Sequence, residues 1–431
     1  MQLLVCPVPL FGRLLEVIEK SPQRRAALLV GSSRSGSTRT WLGRDVALWP
    51  PRESSGSWLG VELTQEPRAI EPDLCEHLVG RLSLSVRPDT CHTSGVIHGE
   101  GGSEPLEKLA LPGPGMREIT CTDAGASWRD SPGRLPAPAS QHNRPSRWLR
   151  SIGALGGEAG WRRLTNLRVG IVGCGRTGSL IAQQLAHLGV RELVLIDPDV
   201  IEVHNLGEMV GVRERDLRRA KVDALADFLH ASLDIPVGVV PVASSIIDGR
   251  AATEAKSCSV LFSTVDADPA RLATTILCTL HHIVHIDIGT GVFVRQDTAT
   301  PPARAGQPYH RLMGADVRLI LPGDGCLRCR GGLVRYHDAV RELCALGAAL
   351  PSTVSGDRLR AGSSAALNAM ATSLAVHLLL DLVADRLRRT LWLHLDFDQA
   401  GHLTVQYPLT TSSAATDCPL CARAGAGEEL T

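Results

Sequence analysis

Three glycines between two regular patterns form the first candidate site for chemistry. The segment GCGRTG places Gly173, Gly175 and Gly178 between the apolar run LRVGIV and the helical pattern SLIAQQLAHLG. Glycines at such a turn let the chain bend tightly and let a phosphate approach backbone N–H groups at the helix start. Asp197 ends the next apolar run, where a carboxylate can bind ribose hydroxyls. We expect a nucleotide here rather than a turn made for packing alone, and this motif does not separate NAD from ATP.

A lysine and a second carboxylate favour ATP over NAD. Lys221 follows in RRAKVDAL, Asp266 ends the strand pattern SVLFSTVD, and Arg271 comes next as a further catalytic candidate. In acyl adenylation a lysine stabilises charge on the phosphates, and a carboxylate holds Mg²⁺ as pyrophosphate leaves. Hydride transfer needs neither. Taken singly, Lys221 is explained as a solvated helix residue and Asp266 as a strand-end cap, so the prediction depends on their joint presence.

Two C-x-x-C pairs predict a metal site. GCLRCRGG contains Cys326 and Cys329, and DCPLCARA contains Cys418 and Cys421. Four thiolates in two such pairs are typical of a tetrahedral, structural zinc site. A redox role is the alternative, and it would need one pair at a helix N-terminus in a thioredoxin-like context, which neither shows. The long gap between the pairs means that zinc would hold the C-terminal part of the chain against the domain.

These residues must be positioned by a regular array of strands and helices that begins near Leu164. Apolar runs alternate with helical patterns, which implies a doubly wound, mostly parallel, Rossmann-like α/β sheet. Ligands of such sheets lie beyond the carboxyl ends of the strands, where the candidate residues fall. The predicted strands are LRVGIV, ELVLID, VGVVPVA, SVLFSTVD and IVHIDIG, and the predicted helices are SLIAQQLAHLG, KVDALADFLHASL and PARLATTILCTLHH.

The remaining chain predicts two further parts. Residues 1–90 read as a small N-terminal α+β domain, with a helix at GRLLEVIEK and a strand at AALLVG. Residues 91–146 are dominated by Gly, Ser, Pro and charge, which predicts a linker. The nucleotide-binding domain then occupies residues 147–431.

Composition excludes some classes of function. The 431 residues are 44% apolar and carry zero formal net charge, which gives no case for a nucleic-acid partner. The apolar pattern at 365–383 is interrupted by Asn368, His377 and Asp381, so we expect a buried helix and no membrane span. The first residues lack the basic region of a signal peptide. We therefore expect a cytoplasmic protein whose paired cysteines bind metal.

From about Arg144 to Cys421 the chain resembles the ThiF/MoeB family, which includes the activating enzymes of ubiquitin and sulfur-carrier proteins. The resemblance rests on GCGRTG, DPDVIEVHNL, RRAK and STVDADPAR, with Val265 inserted between Thr and Asp. It implies the same zinc site. It also implies that Asp197 binds ribose, that Asp199 and Asn205 lie near the nucleotide, that Lys221 meets the phosphates and that Asp266 coordinates Mg²⁺.

One segment departs from the family pattern. The family usually continues N-L-N-R-Q, with the arginine on the ATP phosphates, whereas this chain has NLGEM. Gly207 and Glu208 therefore replace the expected Asn and Arg, and Glu208 would repel phosphate. Arg213 or Arg215 could substitute from a shifted turn.

The resemblance also implies a homodimer and raises the question of a second chemical step. The family has an arginine ahead of the first strand that reaches the ATP of a partner subunit, and Arg147 and Arg150 are both candidates for it. Some activating enzymes pass their substrate to a cysteine thioester, for which Cys344 is the best candidate here. Adenylation without a thioester also occurs within the family.

The N-terminal part vaguely resembles a JAB/MPN metal-dependent peptidase, a domain that occurs fused to ThiF-like domains. The metal motif of that family would be H-x-H followed by Ser and Asp. This chain has CHTSGVIHGEGGSEP, in which His92 and His98 are six residues apart and no suitable aspartate follows Ser103. We expect a degenerate peptidase fold or a substrate-recognition domain.

These observations predict ATP- and Mg²⁺-dependent adenylation of the C-terminal carboxylate of a ubiquitin-like or sulfur-carrier protein ending in glycine. The nucleophile is already a carboxylate, so catalysis would depend on positioning and charge stabilisation rather than on a general base. Three alternatives stay open. They are adenylation of a peptide or small molecule in natural-product tailoring, a non-catalytic partner subunit, which Glu208 suggests, and an NAD-dependent oxidoreductase.

Overall fold

The computed structural model describes residues 2–35, 38–48, 57–63, 78–87, 90–99, 102–113, 116–120, 148–232, 237–294, 311–333, 335–345, 364–397, 401–408 and 417–428. Within these ranges the chain forms one sheet of nine strands and one of eight, and each sheet has its own buried apolar cluster.

The first sheet is built from the N-terminal part of the chain. Its strands are β1 Gln2–Val5, β2 Arg25–Ser35, β3 Thr38–Leu48, β4 Ser57–Leu63, β5 Leu78–Arg87, β6 Thr90–Gly99, β7 Gly102–Pro105, β8 Lys108–Leu111 and β9 Arg117–Thr120. They lie in the order β7-β6-β5-β4-β2-β3-β1-β8-β9. β1 is parallel to β3 and β8, and β4 is parallel to β5. The sheet is therefore mixed, in keeping with the predicted α+β class.

Helix α1 (Val8–Lys20) packs on this first sheet. Leu10, Leu14 and Ile18 recur every four residues, so they share one face of the helix and join the buried cluster that contains Leu28 of β2. The helix and the strand predicted at GRLLEVIEK and AALLVG are both confirmed.

Most of the described part of 91–120 lies in strands β6 to β9, although the sequence predicts a linker for 91–146. β6 pairs with β5 and β7, and Leu109 of β8 is fully buried. The boundary at residue 90 is therefore wrong. Composition misleads here because strand stability comes from pairing and burial more than from the residue types themselves, so a Gly- and Ser-rich segment can still be a strand. The rest of the predicted linker, 121–146, lies outside the described residues.

The second sheet confirms the doubly wound prediction. Its strands are β10 Arg168–Val172, β11 Glu192–Ile196, β12 Gly238–Val242, β13 Val260–Ser263, β14 Val284–Val294, β15 Arg311–Ile320, β16 Leu391–Phe397 and β17 Leu403–Gln406. They lie in the order β12-β11-β10-β13-β14-β15-β16-β17. The first five strands in this order are parallel, and β15, β16 and β17 each pair antiparallel with the strand before. Strand order reverses beside β10, which is where such sheets bind ligands.

Helices cover both faces of the second sheet. They are α2 Leu149–Ala154, α3 Glu158–Thr165, α4 Arg176–His187, α5 Lys221–Ser232, α6 Gly249–Lys256, α7 Asp268–His281, α8 Tyr336–Ala345 and α9 Ala365–Val383. α4, α5 and α9 belong to the apolar cluster on one face, and α6 and α7 belong to the cluster on the other. The three helices predicted between the strands are confirmed at α4, α5 and α7.

Helix α9 has the length and apolar composition of a membrane span. Its side chains, among them Leu379, Leu382 and Val383, nevertheless lie in the core against the sheet. The structure therefore places it as the predicted buried helix.

A short segment after the last cysteine joins the two sheets. The backbone N–H groups of Gly425 and Gly427 donate to the carbonyls of Thr279 and Leu280 at the end of α7, both at 3.1 Å. The Glu428 N–H donates to Ser32 O of β2 at 2.9 Å. His282 Nε2, directly after α7, lies 2.5 Å from Gly43 O of β3. This contact surface, residues 425–428 with the end of α7 and β2–β3, is called the intersheet contact below.

Candidate functional site

The three glycines of the turn after β10 have different surroundings. Gly173 has a φ of +90°, and a Cβ there would lie 2.9 Å from Val265 Cγ1. A Cβ on Gly178 would lie 2.9 Å from the carbonyl carbon of Gly173 and closer still to its oxygen. Thr264 Oγ1 donates to that same oxygen at 2.6 Å. Gly173 and Gly178 are therefore required by the packing of the turn against α4 and the end of β13.

Gly175 is the exception within the turn. A Cβ added there would meet no atom within 4 Å. Gly175 is also the N-cap of α4, and no side chain caps the first N–H groups of that helix. Such N–H groups together with the helix dipole attract anions. The open side of the turn is therefore suited to a phosphate.

Asp197 ties the end of β11 to this turn. Its Oδ2 accepts a hydrogen bond from Cys174 N at 2.6 Å, and its Oδ1 accepts one from Asp199 N at 2.8 Å. Burial raises the pKa of Asp197, while the Lys221 charge acts in the opposite direction. The predicted ribose ligand thus lies beside the glycine turn, at the carboxyl end of the sheet.

Lys221 is buried in the same cluster. Its side chain Nζ lies 2.7 Å from Asp199 Oδ2, and its backbone N donates to Asp199 O at 3.0 Å. Burial opposes the charge on Lys221, but the carboxylates of Asp197 and Asp199 outweigh it, and the pKa of Lys221 is raised. Only 8% of the residue is exposed. A solvated helix lysine is therefore the wrong interpretation, and the lysine is held as a cation beside the turn.

Asn205 has a local structural role. It is buried in the 3-10 helix Val203–Gly207, and its Oδ1 accepts a hydrogen bond from Glu202 N at 2.9 Å. The Glu202 side chain completes a capping box with Asn205 N. These bonds fix the shape of the segment that leads to Glu208.

Glu208 forms an ion pair that the sequence does not reveal. Its Oε1 accepts a hydrogen bond from Arg176 Nη2, and Arg176 is the first residue of α4, inside GCGRTG. Ser179 holds the two segments together, since its Oγ accepts from Val210 N and donates to Arg176 O, both at 3.1 Å. The negative charge of Glu208, expected to repel phosphate, is therefore matched by an arginine of the glycine turn.

Asp266 and Arg271 are placed differently from each other. Asp266 is exposed just beyond β13, on the same side of the sheet as the glycine turn. Arg271 is in α7, and its Nε and Nη2 both donate to the carboxylate of Asp287, which is fully buried in β14. The structure thus places Arg271 in a buried ion pair, and its catalytic role stays a prediction.

The ion pair of Arg271 with Asp287 is extended by residues on the neighbouring antiparallel strands β15 and β16. Arg318 Nη1 lies 3.6 Å from Asp287, and Arg318 Nη2 lies 3.2 Å from Asp316. The Arg318 guanidinium stacks 4.3 Å from the ring centre of Trp392. Asp316 also accepts from Trp392 Nε1 at 2.6 Å and lies 2.9 Å from His394 Nδ1. Burial opposes ionisation of Asp316, but the charge of Arg318 and the hydrogen bonds from His394 and Trp392 together outweigh it and lower the pKa of Asp316.

The two cysteine pairs converge on one point. The four Sγ atoms of Cys326, Cys329, Cys418 and Cys421 lie within 4.8 Å of one another, and the closest pairs are 3.7, 3.7 and 3.8 Å apart. Zn–S bonds of about 2.3 Å in a tetrahedron require S–S distances of about 3.8 Å. Hydrogen bonding with Cys421 lowers the pKa of Cys326 to about 5, which favours a thiolate. The arrangement fits zinc with no position left for a substrate.

Several predicted residues lie apart from the site or outside the described ranges. Arg147 is outside them, and Arg150 is exposed on α2. Cys344 is exposed on α8. His92 and His98 lie in β6, whose side chains are not described, so the degenerate-peptidase hypothesis stays a prediction.

Comparisons with known proteins give a family match and a set of similar proteins. A model of the ThiF family matches residues 148–419. Over 124 residues the chain is 36% identical to the adenylyltransferase and sulfurtransferase MOCS3 of Sus scrofa, a match that covers 29% of this chain and 27% of the relative. Over 146 residues it is 30% identical to the SAMP-activating enzyme E1 of Haloferax volcanii, covering 34% of this chain and 54% of the relative.

The chain thus spans between about a quarter and about half of the length of these curated relatives. Their names describe adenylyltransferases and activating enzymes. Among solved structures, that of E. coli MccB with ATP is similar at a TM-score of 0.46 and 19% identity, covering 65% of this chain and 75% of that one.

Proposed function

Because this chain belongs to the ThiF family, we propose that it adenylates a carboxylate with ATP and Mg²⁺. The proposed substrate is the C-terminal glycine of a ubiquitin-like or sulfur-carrier protein. One observation carries the proposal: Asp197 binds the backbone of the glycine turn while Lys221, held as a buried cation, lies against the same aspartate segment. A hydride-transfer site has no need of that lysine.

In the proposed reaction a carboxylate oxygen of the substrate attacks the α-phosphorus of ATP. A bond forms between them, the bond from that phosphorus to the β,γ-diphosphate oxygen breaks, and acyl-adenylate and pyrophosphate result. The turn around Gly175 would hold phosphate oxygens, and Asp197 would bind the ribose. Lys221 would turn from Asp199, which is 64% exposed and can be hydrated, to the phosphates. Rate acceleration comes from fixed charges placed where negative charge develops.

Mg²⁺ and zinc have separate places in the proposal. Mg²⁺ would neutralise the leaving pyrophosphate, and the exposed carboxylate of Asp266, beyond β13, would be its protein ligand. Zinc at the four cysteines would contribute folding free energy and take no part in the reaction.

We further propose a cytoplasmic homodimer in which Arg147 or Arg150 of one subunit reaches the nucleotide of the other. Cys344 is exposed, and its thiolate would attack the carbonyl carbon of the acyl-adenylate to form a thioester as AMP leaves. The arginine would serve the adenylation step, and the thioester would form from its product.

Exchange of labelled pyrophosphate into ATP tests the proposal. We expect exchange that depends on a ubiquitin-like or sulfur-carrier protein ending in Gly-Gly and that is lost when its last glycine is removed. Asp266→Ala should abolish exchange, and Lys221→Ala should lower it by about 10²- to 10³-fold, the usual loss for one electrostatic donor. Asp223→Ala is the matched control, because Asp223 is exposed on the same helix as Lys221 and should leave the rate unchanged.

The outcomes separate the alternatives. Tight calorimetric binding of NAD without binding of ATP–Mg²⁺ would end the adenylation hypothesis. ATP binding with no exchange on any Gly-Gly substrate, but exchange with short peptides, would move the substrate to the peptide class. ATP binding without any exchange would favour a non-catalytic partner subunit.

A further inference from the structure

We infer that Arg176 is a phosphate-binding residue of the nucleotide site and that Glu208 is its counter-ion when no nucleotide is bound. This inference rests on the proposed function, since it assigns a second cation to the same ATP site. It also gives Glu208 a defined place at that site, as the carboxylate that a phosphate displaces from Arg176.

The position of Arg176 is the first support. It directly follows Gly175, the one glycine of the turn with open space around it, and it is the first residue of α4. A phosphate at the turn would therefore lie beside the base of this side chain. The guanidinium is held by Glu208, 32 residues further along the chain, on the segment where the family pattern leads us to expect a phosphate-binding arginine. In this chain the glycine turn thus supplies the positive charge, through Arg176, and the later segment supplies a carboxylate, through Glu208.

The pair is built into the fold. Ser179 Oγ joins the Arg176 carbonyl to the N–H of Val210, two residues after Glu208. The Glu202–Asn205 capping box fixes the 3-10 helix that ends just before Glu208. Both ends of the ion pair are therefore held in place, as a binding residue and its counter-ion require.

The exposure of each paired carboxylate determines which cation can leave it to bind a phosphate. Asp287, the partner of Arg271, is fully buried, so releasing Arg271 would leave a buried carboxylate that has lost two hydrogen bonds and keeps the longer, 3.6 Å contact with Arg318. Glu208 has 39% of its side chain exposed and can be hydrated once Arg176 leaves it. Lys221 has a still more exposed partner in Asp199, at 64%. Among the described residues, Arg176 and Lys221 are therefore cations near the turn that can exchange a carboxylate for a phosphate.

Two glutamine variants test the assignment, because the inference predicts shifts of opposite sign. Arg176→Gln should raise the Kd for ATP–Mg²⁺ by about 10- to 100-fold, the effect of one charge-assisted contact. Glu208→Gln should lower the same Kd by a few-fold, because the phosphate no longer competes with a carboxylate. Adenosine has no phosphates, so its Kd should not change in either variant. Arg219→Gln is the control, since it removes the same charge from an arginine that pairs with Asp216 and Asp227 instead of Glu208.

Calorimetry would give the Kd for ATP–Mg²⁺ and for adenosine in the wild type and in the Arg176→Gln, Glu208→Gln and Arg219→Gln variants. The melting temperature of each protein would be measured as well. Unchanged ATP affinity in Arg176→Gln would overturn the inference. The inference would also be overturned if Arg176→Gln and Glu208→Gln weakened ATP binding equally and lowered the melting temperature equally, because the pair would then be purely structural. A parallel loss of adenosine affinity in Arg176→Gln would mean a deformed turn and would also overturn it. Failure of the wild-type protein to bind ATP at all would instead refute the proposed function, and this inference with it.

Discussion

Replacing Gly178 by alanine tests the geometry of the glycine turn most directly. The new Cβ would lie 2.9 Å from the carbonyl carbon of Gly173 and 3.1 Å from Thr264 Oγ1. The neighbouring carbonyl oxygen cannot move away freely, because Thr264 donates to it at 2.6 Å. Over-packing of about 1–3 kcal/mol, with about 1 kcal/mol for a strained hydrogen bond, gives an expected loss of about 3 kcal/mol in unfolding free energy. That corresponds to about 150-fold in the unfolding equilibrium constant.

Gly175→Ala is the matched control for the same change three residues earlier. Its methyl group meets no atom within 4 Å, so we expect the unfolding free energy to stay within about 0.5 kcal/mol of wild type. The methyl group would, however, occupy the open side of the turn where a phosphate approaches the backbone. We expect the Kd for ATP–Mg²⁺ to rise about tenfold or more, because close approach of the phosphate is the reason for glycine there.

Urea denaturation gives the two unfolding free energies, and calorimetry gives the two ATP affinities. The reasoning predicts a stability loss confined to Gly178→Ala and an affinity loss without a stability loss in Gly175→Ala. Unchanged stability in Gly178→Ala would show that the turn is more open than described. Wild-type ATP affinity in Gly175→Ala would show that the phosphates bind elsewhere.

Two further predictions concern the metal cluster and the buried histidines. We expect one zinc per chain by metal analysis, lost together with several kcal/mol of unfolding free energy in Cys418→Ser but retained in Cys344→Ser; near-zero zinc in freshly reduced wild-type protein would contradict this. Burial lowers the pKa of each of three histidines to about 4, so below pH 6.5 the unfolded chain binds more protons than the folded one, and stability falls with pH down to about 4. The three are His281, His282 and His285, and each contributes a slope of about 1.4 kcal/mol per pH unit to the unfolding free energy. Urea titrations at several pH values measure this slope, and replacing the exposed His204 should not alter it. Absence of the slope would refute the buried placement of the three histidines.

The parts of the structure that follow from local pattern could be predicted from the sequence. Buried parallel strands are continuous apolar runs, so β10, β11 and β13 and the helices between them are evident from composition and period. Their carboxyl ends necessarily meet at one edge, which is why Asp197 and Lys221 could be assigned to one site. The cysteine pairs were equally clear, because zinc imposes both the residue type and the C-x-x-C spacing.

The parts that depend on which segments meet in space could not be predicted. The Arg176–Glu208 pair joins residues 32 apart, and neither the glycine turn nor the later segment alone shows the other's charge. Arg271 looks like a site residue beside Asp266 until the burial of Asp287, 16 residues further on, is known. Strand β6 is hidden in the sequence because its serine and two glycines resemble a linker, and its pairing with β5 and β7 appears only in the structure.

The intersheet contact has a consequence for the order in which the protein is made. Residues 425–428, which hold Ser32 against the end of α7, leave the ribosome after every strand of both sheets. Domains generally fold as they emerge, N-terminal part first. The contact of this segment with Ser32 can therefore form only after the described strands of both sheets have been synthesised, whereas the His282–Gly43 contact needs no residue beyond 282. Completion of the intersheet contact is thus a late event in biogenesis.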